Sequence, residues 1–256
     1  MLPISPIITE EVSSTNEVMK RLAADGAPEG TLLIADRQTG GYGRLSREFF
    51  SPLGTGLYMS LLLRPTFSPA VSPMLTLAAA VAVAEAIDIT AGLSAEIKWV
   101  NDIYVNNKKA AGILVESALC CDGSMDYAIL GVGINLFPPD GGFPPSFAHR
   151  ATAIFSPRLK DEFSRLRETL YRQIVRRFSP LYDALPNTAF LTEYRRRSLL
   201  VGKEIFVYSA LTDREKAGVG IPARALDVLE NGKLLVEYPD GRREALDGGE
   251  VTLRVE

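Results

Sequence analysis

The chain has 256 residues, 46% of them hydrophobic and 23% charged, a composition typical of a folded globular protein. The formal net charge of −3 gives no basic footprint, so DNA or RNA is not an expected partner. The start of the chain lacks a basic segment followed by an apolar core, so we expect no secretory signal. The longest apolar run, 75–89, is interrupted by Thr76, Glu85 and Asp88, which predicts that it is too short and too polar for a membrane span.

The cysteine and histidine content limits the possible chemistry. Cys120 and Cys121 are adjacent, so they cannot form a disulfide framework or a four-ligand zinc site, and we expect reduced thiols of a cytoplasmic protein. The single histidine, His149, has no G-x-S-x-G nucleophile motif to partner it. Reaction chemistry would then depend on lysines, arginines, carboxylates, amides and backbone groups, which favours stabilisation of phosphate charge over nucleophilic attack by the protein.

The first half of the chain predicts two helices and two strands. Ser14 is expected to cap the first helix, with Glu17 closing a capping box and Gly26 ending the helix. A short strand at 31–35 leads into a Gly-rich loop, and a second strand follows at 57–63. An Ala-rich helix from Ser72 to about Thr90 is apolar on nearly every side, so we expect it to be central.

The second half predicts three strands, two helices and then a different pattern. The strands are expected at 97–105, at 110–115 after an Asn106–Asn107 turn, and at 127–136. An apolar stripe that includes Phe163 and Phe178 predicts a long helix, and another helix is expected near 190–197.

From about Leu199, short strands with hairpin signals at Asn231–Gly232 and Asp240–Gly241 predict a small SH3-like barrel. We therefore expect two domains, 1–198 and 199–256.

The Gly-rich loop runs from Gln38 to Arg47 and holds three glycines and two arginines. Glycines let the backbone approach a ligand, and Arg44 and Arg47 could grip phosphate or carboxylate. A mobile surface loop without a ligand fits the composition equally well. The loop is neither a P-loop nor a dinucleotide-binding fingerprint. Because the glycines leave it no intrinsic structure and the arginines repel each other, we expect it to order only when an anion binds.

Two strand motifs carry polar groups into apolar surroundings. Lys98, Asn101 and Asp102 would be costly to bury unless they are paired or presented to a ligand, although a surface lysine at a strand end is an equal alternative. Gly131 and Gly133 lie two residues apart in a strand, which marks either a ligand against the backbone or a bulge. The nearby Asn135 suits an adenine edge or a satisfied core amide.

Together these motifs resemble the biotin protein ligases, also called biotin–[biotin carboxyl carrier protein] or biotin–[acetyl-CoA-carboxylase] ligases. The resemblance rests on the order and spacing of four motifs and covers essentially the whole chain. The motifs are 14–16, 38–49, 98–102 with 112–116, and 131–135.

The resemblance implies an α+β fold, with a mixed sheet of the class II aminoacyl-tRNA synthetase-like kind, packed helices and a C-terminal SH3-like domain. Only 13 residues precede Ser14, so it points to the monofunctional type without an N-terminal DNA-binding domain.

The implied activity is that of a carbon–nitrogen bond-forming ligase. It would activate biotin with ATP as biotinyl-5′-AMP, with Mg²⁺ on the leaving pyrophosphate and unknown metal ligands. It would then transfer biotin to a lysine of a carrier domain of a biotin-dependent carboxylase. Lys98 and Arg44 would be the catalytic residues. A homodimer through an exposed sheet edge is also implied as an option.

The implied biotin contacts are Ser14, Thr15, Asn16, Gln38, Tyr42, Gly43, Arg44, Lys98, Gly112 and Ile113. The implied nucleotide contacts are Arg44, Arg47, Phe49, Asn101, Asp102, Gly133 and Asn135.

Three positions depart from the family pattern. Tyr42 stands where the family usually has arginine, Phe49 where it has tryptophan, and Val100 where it has proline. The loss of a charge at Tyr42 leaves open a non-catalytic binder of biotin or its adenylate. A lipoate or octanoate ligase-transferase, which shares the fold, is a further alternative. The Arg-Arg-x-Ser-Gly-Gly-Gly stretch typical of lipoate ligases is absent.

Overall fold

A mixed seven-stranded sheet forms the larger part of the fold. The structure is a computed structural model that describes residues 2–208, 220–247 and 250–253. The strand order is β1-β2-β3-β7-β6-β5-β4, with β1 and β2 parallel and the other neighbours antiparallel. The strands are β1 (Ser5–Val12), β2 (Thr31–Gln38), β3 (Gly56–Leu63), β4 (Glu96–Lys98), β5 (Asp102–Val105), β6 (Lys108–Leu119) and β7 (Met125–Asn135).

Helices cover both faces of this sheet. The α-helices among the described residues are α1 (Thr15–Ala24), α2 (Ser72–Ala91), α3 (Pro145–Ala148), α4 (Phe163–Ala184) and α5 (Leu191–Arg196). On one face, Met19 of α1 packs with Leu33, Leu62 and Ile129. On the other face, α2 lies between the sheet and α4, which explains why it is apolar on nearly every side. Every residue of β3 is buried because both faces of the central strands are covered.

The Ala-rich helix has nearly the predicted extent, Ser72–Ala91, and a short helical turn, Pro69–Val71, precedes it. The helical stretch Pro69–Ala91 has 23 residues and passes a length-and-hydropathy test for a membrane span, so the prediction that it is too short and too polar was wrong. Most of the stretch is buried inside the protein, where it packs against α4 and the sheet. The same apolar surface that a bilayer would cover is therefore covered here by the rest of the chain.

A separate antiparallel sheet follows. Its strands, in the order β11-β10-β9-β8-β12, are β8 (Glu204–Tyr208), β9 (Ile221–Val228), β10 (Leu234–Glu237), β11 (Arg243–Leu246) and β12 (Glu250–Leu253). Gly232 and Gly241 adopt φ of 81° and 83° in the two predicted hairpins, a backbone region that favours glycine. The mixed sheet with packed helices and the second small sheet confirm the predicted fold class. The domain bounds and the barrel closure stay predictions, and 209–219, 248–249 and 254–256 lie outside the described residues.

Two local predictions were wrong, and one strand was not predicted. The segment 97–105 is not one strand, because a turn with a cis Trp99–Val100 peptide bond separates β4 from β5 and lets the two strands pair. The capping box is absent: Ser14 is the N-cap, but its side chain makes no capping hydrogen bond, and Glu17 bonds elsewhere. The strand that was not predicted is β1, an edge strand whose apolar residues are largely exposed and whose partner β2 begins 26 residues after β1 begins.

The two sheets are joined by a hydrogen bond from a buried tryptophan. The Trp99 indole N–H donates to the carbonyl of Gly232 at 2.9 Å. We expect Trp99→Phe to lower the free energy of unfolding by about 1–3 kcal/mol, because a buried carbonyl loses its partner. Chemical denaturation would measure the change. An unfolding free energy equal to that of the wild type would show that this hydrogen bond does not stabilise the fold.

Candidate active site

A cavity of about 450 Å³ lies over the middle of the large sheet, within the size range of small-molecule sites. It is lined by residues from α1, β4 to β7, the Gly-rich loop and the connection after β7. All sixteen residues proposed from the sequence line it, although their individual roles remain predictions. They are Ser14, Thr15, Asn16, Gln38, Tyr42, Gly43, Arg44, Arg47, Phe49, Lys98, Asn101, Asp102, Gly112, Ile113, Gly133 and Asn135.

One end of the cavity is formed by buried neutral groups at the start of α1. The Thr15 N–H and hydroxyl both donate to Gln38 Oε1, at 2.8 and 3.1 Å, and Gln38 Nε2 donates to the Ser51 hydroxyl at 3.0 Å. Gln38 thus supplies the capping acceptor that the sequence analysis had assigned to Ser14. Ser14 itself is buried and lines the cavity. This end offers neutral hydrogen-bonding groups in fixed positions.

Asn16 is held on both sides of its amide. Its Oδ1 accepts from the Ser60 hydroxyl at 2.6 Å, and its Nδ2 donates to Glu116 Oε2 at 2.7 Å. A Cβ atom at Gly131 would lie 2.4 Å from Asn16 Oδ1. Gly131 has no side chain, and this leaves room for the neighbouring Asn16 amide. The sequence had instead suggested a ligand against the backbone or a bulge.

The Gly-rich loop has its own hydrogen bonds, so the prediction that it lacks intrinsic structure was wrong. Gly43 N–H donates to the Arg47 carbonyl at 2.8 Å, and Phe49 N–H donates to the Gly41 carbonyl at 2.9 Å. Leu45 at the tip has a positive φ and is 64% exposed. The Phe49 ring lies over β7, and a Cβ atom at Gly133 would be 2.5 Å from it. Whether the loop moves on ligand binding stays a prediction.

Positive side chains surround the other part of the cavity. Burial is the largest influence on the pKa of the Arg44 guanidinium and lowers it, whereas the Asp102 carboxylate raises it. Lys98 Nζ lies 5.7 Å from the centroid of the Tyr104 ring. Lys109 Nζ pairs with Asp102 Oδ1 at 2.6 Å. This arrangement suits a ligand with concentrated negative charge.

Several residues that line the cavity were not predicted from the sequence. Lys109 was not proposed, although its place three residues before Gly112 in the same strand could have signalled it. The connection after β7 also contributes Phe143, Phe147, His149 and Arg150. That Gly/Pro-rich stretch has no periodic pattern, and its position over the cavity follows from tertiary contacts.

The side-chain amides of Asn101 and Asn135, two of the predicted nucleotide contacts, make hydrogen bonds within the protein. Asn101 Nδ2 donates to the Ile113 carbonyl at 2.7 Å, and Asn135 Nδ2 donates to the Thr152 carbonyl at 3.0 Å. Each amide therefore positions a neighbouring segment, and the proposed contacts to a nucleotide stay predictions.

A buried neutral end and a cationic region in one cavity define a site for a small molecule with an anionic group. The sequence model of the family described as "Biotin/lipoate A/B protein ligase family" matches residues 8–135, which are half of the chain. The chain belongs to this family.

Among curated relatives, the bifunctional ligase/repressor BirA of Bacillus subtilis is 44% identical over 148 residues, which cover 58% of this chain and 45% of that protein. The chain thus spans less than half the length of this relative. The biotin–[acetyl-CoA-carboxylase] ligase of Mycobacterium tuberculosis is 28% identical over 95% of this chain and 87% of that protein.

A solved structure resembles the chain over nearly its whole length. The biotin protein ligase from Aquifex aeolicus, solved in complex with biotin and ATP, matches with a TM-score of 0.74 and 28% identity. The match covers 98% of this chain and 99% of that one.

Proposed function

We propose that this protein is an ATP-dependent biotin–protein ligase. It joins the biotin carboxylate to the α-phosphate of ATP, releases pyrophosphate, and transfers biotin from biotinyl-5′-AMP to a lysine of a carboxyl carrier domain. The observation that carries the proposal is the single cavity that combines a buried neutral end with several cations. Family membership and the likeness to a ligase solved with biotin and ATP support it.

The two regions suit the two parts of the reaction. The ureido ring of biotin is neutral and offers donors and acceptors, which the fixed groups of Thr15 and Gln38 complement. In the first step a carboxylate oxygen attacks the α-phosphorus and the bond to pyrophosphate breaks. Two anions meet, so cations must be in place before the reaction. Arg44, Lys98 and Lys109 line the cavity and supply that charge.

In the second step the amine of the acceptor lysine attacks the acyl carbon of the adenylate, and AMP leaves. The same cations stabilise the negative charge that develops on the leaving phosphate. The acceptor is an exposed lysine on another protein, so the cavity must open to solvent near the acyl carbon. We propose that this reaction occurs in the cytoplasm, because Cys120 and Cys121 are exposed free thiols typical of a reducing compartment.

The described residues do not include a cluster of side chains that would hold a metal ion without a bound ligand. In that part of the structure, no group of three or more His, Cys, Asp or Glu side chains could hold a metal ion. Asp102, the carboxylate of the Lys98–Asp102 motif, is already paired with Lys109. No step above depends on a metal bound by the protein.

The test is ATP–pyrophosphate exchange with either biotin or lipoate. We expect exchange that depends on biotin and none with lipoate. Exchange that depends on lipoate would indicate a lipoate ligase. The absence of exchange with both acids, together with tight binding of biotinyl-5′-AMP, would indicate a non-catalytic binder. Transfer of labelled biotin to a purified carrier domain would then test the second step.

A further inference from the structure

Four polar side chains connect the Gly-rich loop to α1 and β6. The Tyr42 hydroxyl oxygen lies 2.5 Å from Glu17 Oε1 and 2.9 Å from Glu116 Oε2, and its single proton can be donated to either carboxylate. Lys20 Nζ lies 2.7 Å from Glu17, 2.8 Å from Glu116 and 3.2 Å from the Tyr42 hydroxyl. An ammonium has three donors, and here each has an oxygen partner. The loop is thus joined to two elements that are distant in sequence.

The protonation states favour this arrangement. Burial raises the pKa of Tyr42, so the phenol keeps the proton that it donates. Hydrogen bonds from Lys20 and then from Tyr42 lower the pKa of Glu17, so its carboxylate stays charged and accepting. The cluster therefore persists over the neutral pH range. Bonds to charged groups are stronger than neutral ones.

This cluster involves Tyr42, at the base of the loop. Tyr42 is half-buried, whereas Leu45, Ser46 and Arg47 are exposed, and Leu45 and Ser46 have positive φ. Glu116 also accepts from Asn16, so the cluster connects the loop base with the buried end of the cavity. A tyrosine in place of the usual arginine thus faces two carboxylates, which is not where a phosphate would bind.

We propose that Tyr42, Glu17, Lys20 and Glu116 form a latch that holds the base of the Gly-rich loop over the cavity before any ligand binds. Only the tip, 44–47, then rearranges when the anionic ligand enters. Tyr42 acts as a positioning residue, because its hydroxyl is held by the side chains of Glu17, Glu116 and Lys20. The identity of that ligand rests on the proposed function, whereas the latch itself does not.

Amide hydrogen exchange in the ligand-free protein tests the latch directly. Tyr42→Phe removes only the hydroxyl. We expect exchange at Gly43 and Phe49, whose N–H groups close the loop hairpin, to become about tenfold faster, the effect of losing one hydrogen bond to a charged group. Tyr182→Phe is the matched control, since it removes a phenol that donates to Glu29 at 2.7 Å outside the cavity lining. It should leave exchange at both loop amides unchanged.

A second measurement uses biotinyl-5′-AMP. Its dissociation from Tyr42→Phe, followed by stopped-flow displacement, should be faster than from the wild type by about the same factor as loop exchange. Lys20→Met should act in the same direction, and it replaces Tyr42→Phe if that variant proves unstable.

Two results would overturn the latch. One is amide exchange at Gly43 and Phe49 that is as slow in Tyr42→Phe and Lys20→Met as in the wild type. The other is an increase in the exchange rate in Tyr182→Phe that equals the increase in Tyr42→Phe. If the wild type shows no biotin-dependent pyrophosphate exchange, the proposed function fails. In that case, amide hydrogen exchange in the ligand-free variants still tests whether the latch exists.

Discussion

Replacing Lys98 with alanine should slow adenylate formation by about 10²–10³, the usual effect of deleting one preorganised charge-stabilising donor. Lys98 ends β4, lines the cavity and is partly exposed, so the variant should fold with nearly wild-type stability. Single-turnover formation of biotinyl-5′-AMP would measure the rate. Lys108→Ala is the matched control, because Lys108 is an exposed lysine that lies outside the cavity lining and should be dispensable.

Lys109 is an alternative candidate for the charge-stabilising role that we assign to Lys98. Its Nζ is 2.6 Å from Asp102 Oδ1, so Lys109→Ala removes a cation and also leaves a carboxylate unpaired in the cavity. A double-mutant cycle with Asp102→Asn separates the two effects. If Lys98→Ala forms adenylate at nearly the wild-type rate while Lys109→Ala with Asp102→Asn does not, the charge-stabilising role belongs to Lys109 and our assignment of Lys98 is wrong.

Gly131→Ala should weaken biotin binding by about tenfold or more and lower stability by about 1–3 kcal/mol, the usual cost of overpacking. The new Cβ would lie 2.4 Å from Asn16 Oδ1, and Asn16 cannot move without losing its bonds to Ser60 and Glu116. Isothermal titration with biotin and thermal denaturation would measure the two effects.

Gly133→Ala provides the comparison, because its new Cβ would meet the ring of Phe49, two residues after the Gly-rich loop. A loop side chain can move at lower cost than a buried amide held by two partners, so this variant should lose less stability. Wild-type biotin affinity in Gly131→Ala would show that the fixed position of Asn16 does not matter to the biotin site.

Local patterns were sufficient for much of the fold and for the location of the site. The Asn106–Asn107 turn was predictable because asparagine tolerates the left-handed backbone that both residues adopt, with φ of 51° and 61°. The central position of α2 followed from a helix that is apolar on nearly every side. The resemblance carried by the order of four motifs implied sixteen site residues, and all of them line one cavity. These features depend on residue type and spacing along the chain.

Tertiary structure alone decided which groups these residues meet. The Tyr42 hydroxyl contacts carboxylates 25 residues before it and 74 residues after it in the chain, and Asn16 contacts Glu116 across 100 residues. No periodicity encodes such partners, because periodicity reports only which face of an element is buried. The placement of Lys109 beside Asp102 and the role of Gly131 depend in the same way on strand register and side-chain packing. The sequence by itself therefore indicated the family and a set of candidate residues that line the cavity, and the packing of distant segments decided how those residues are held.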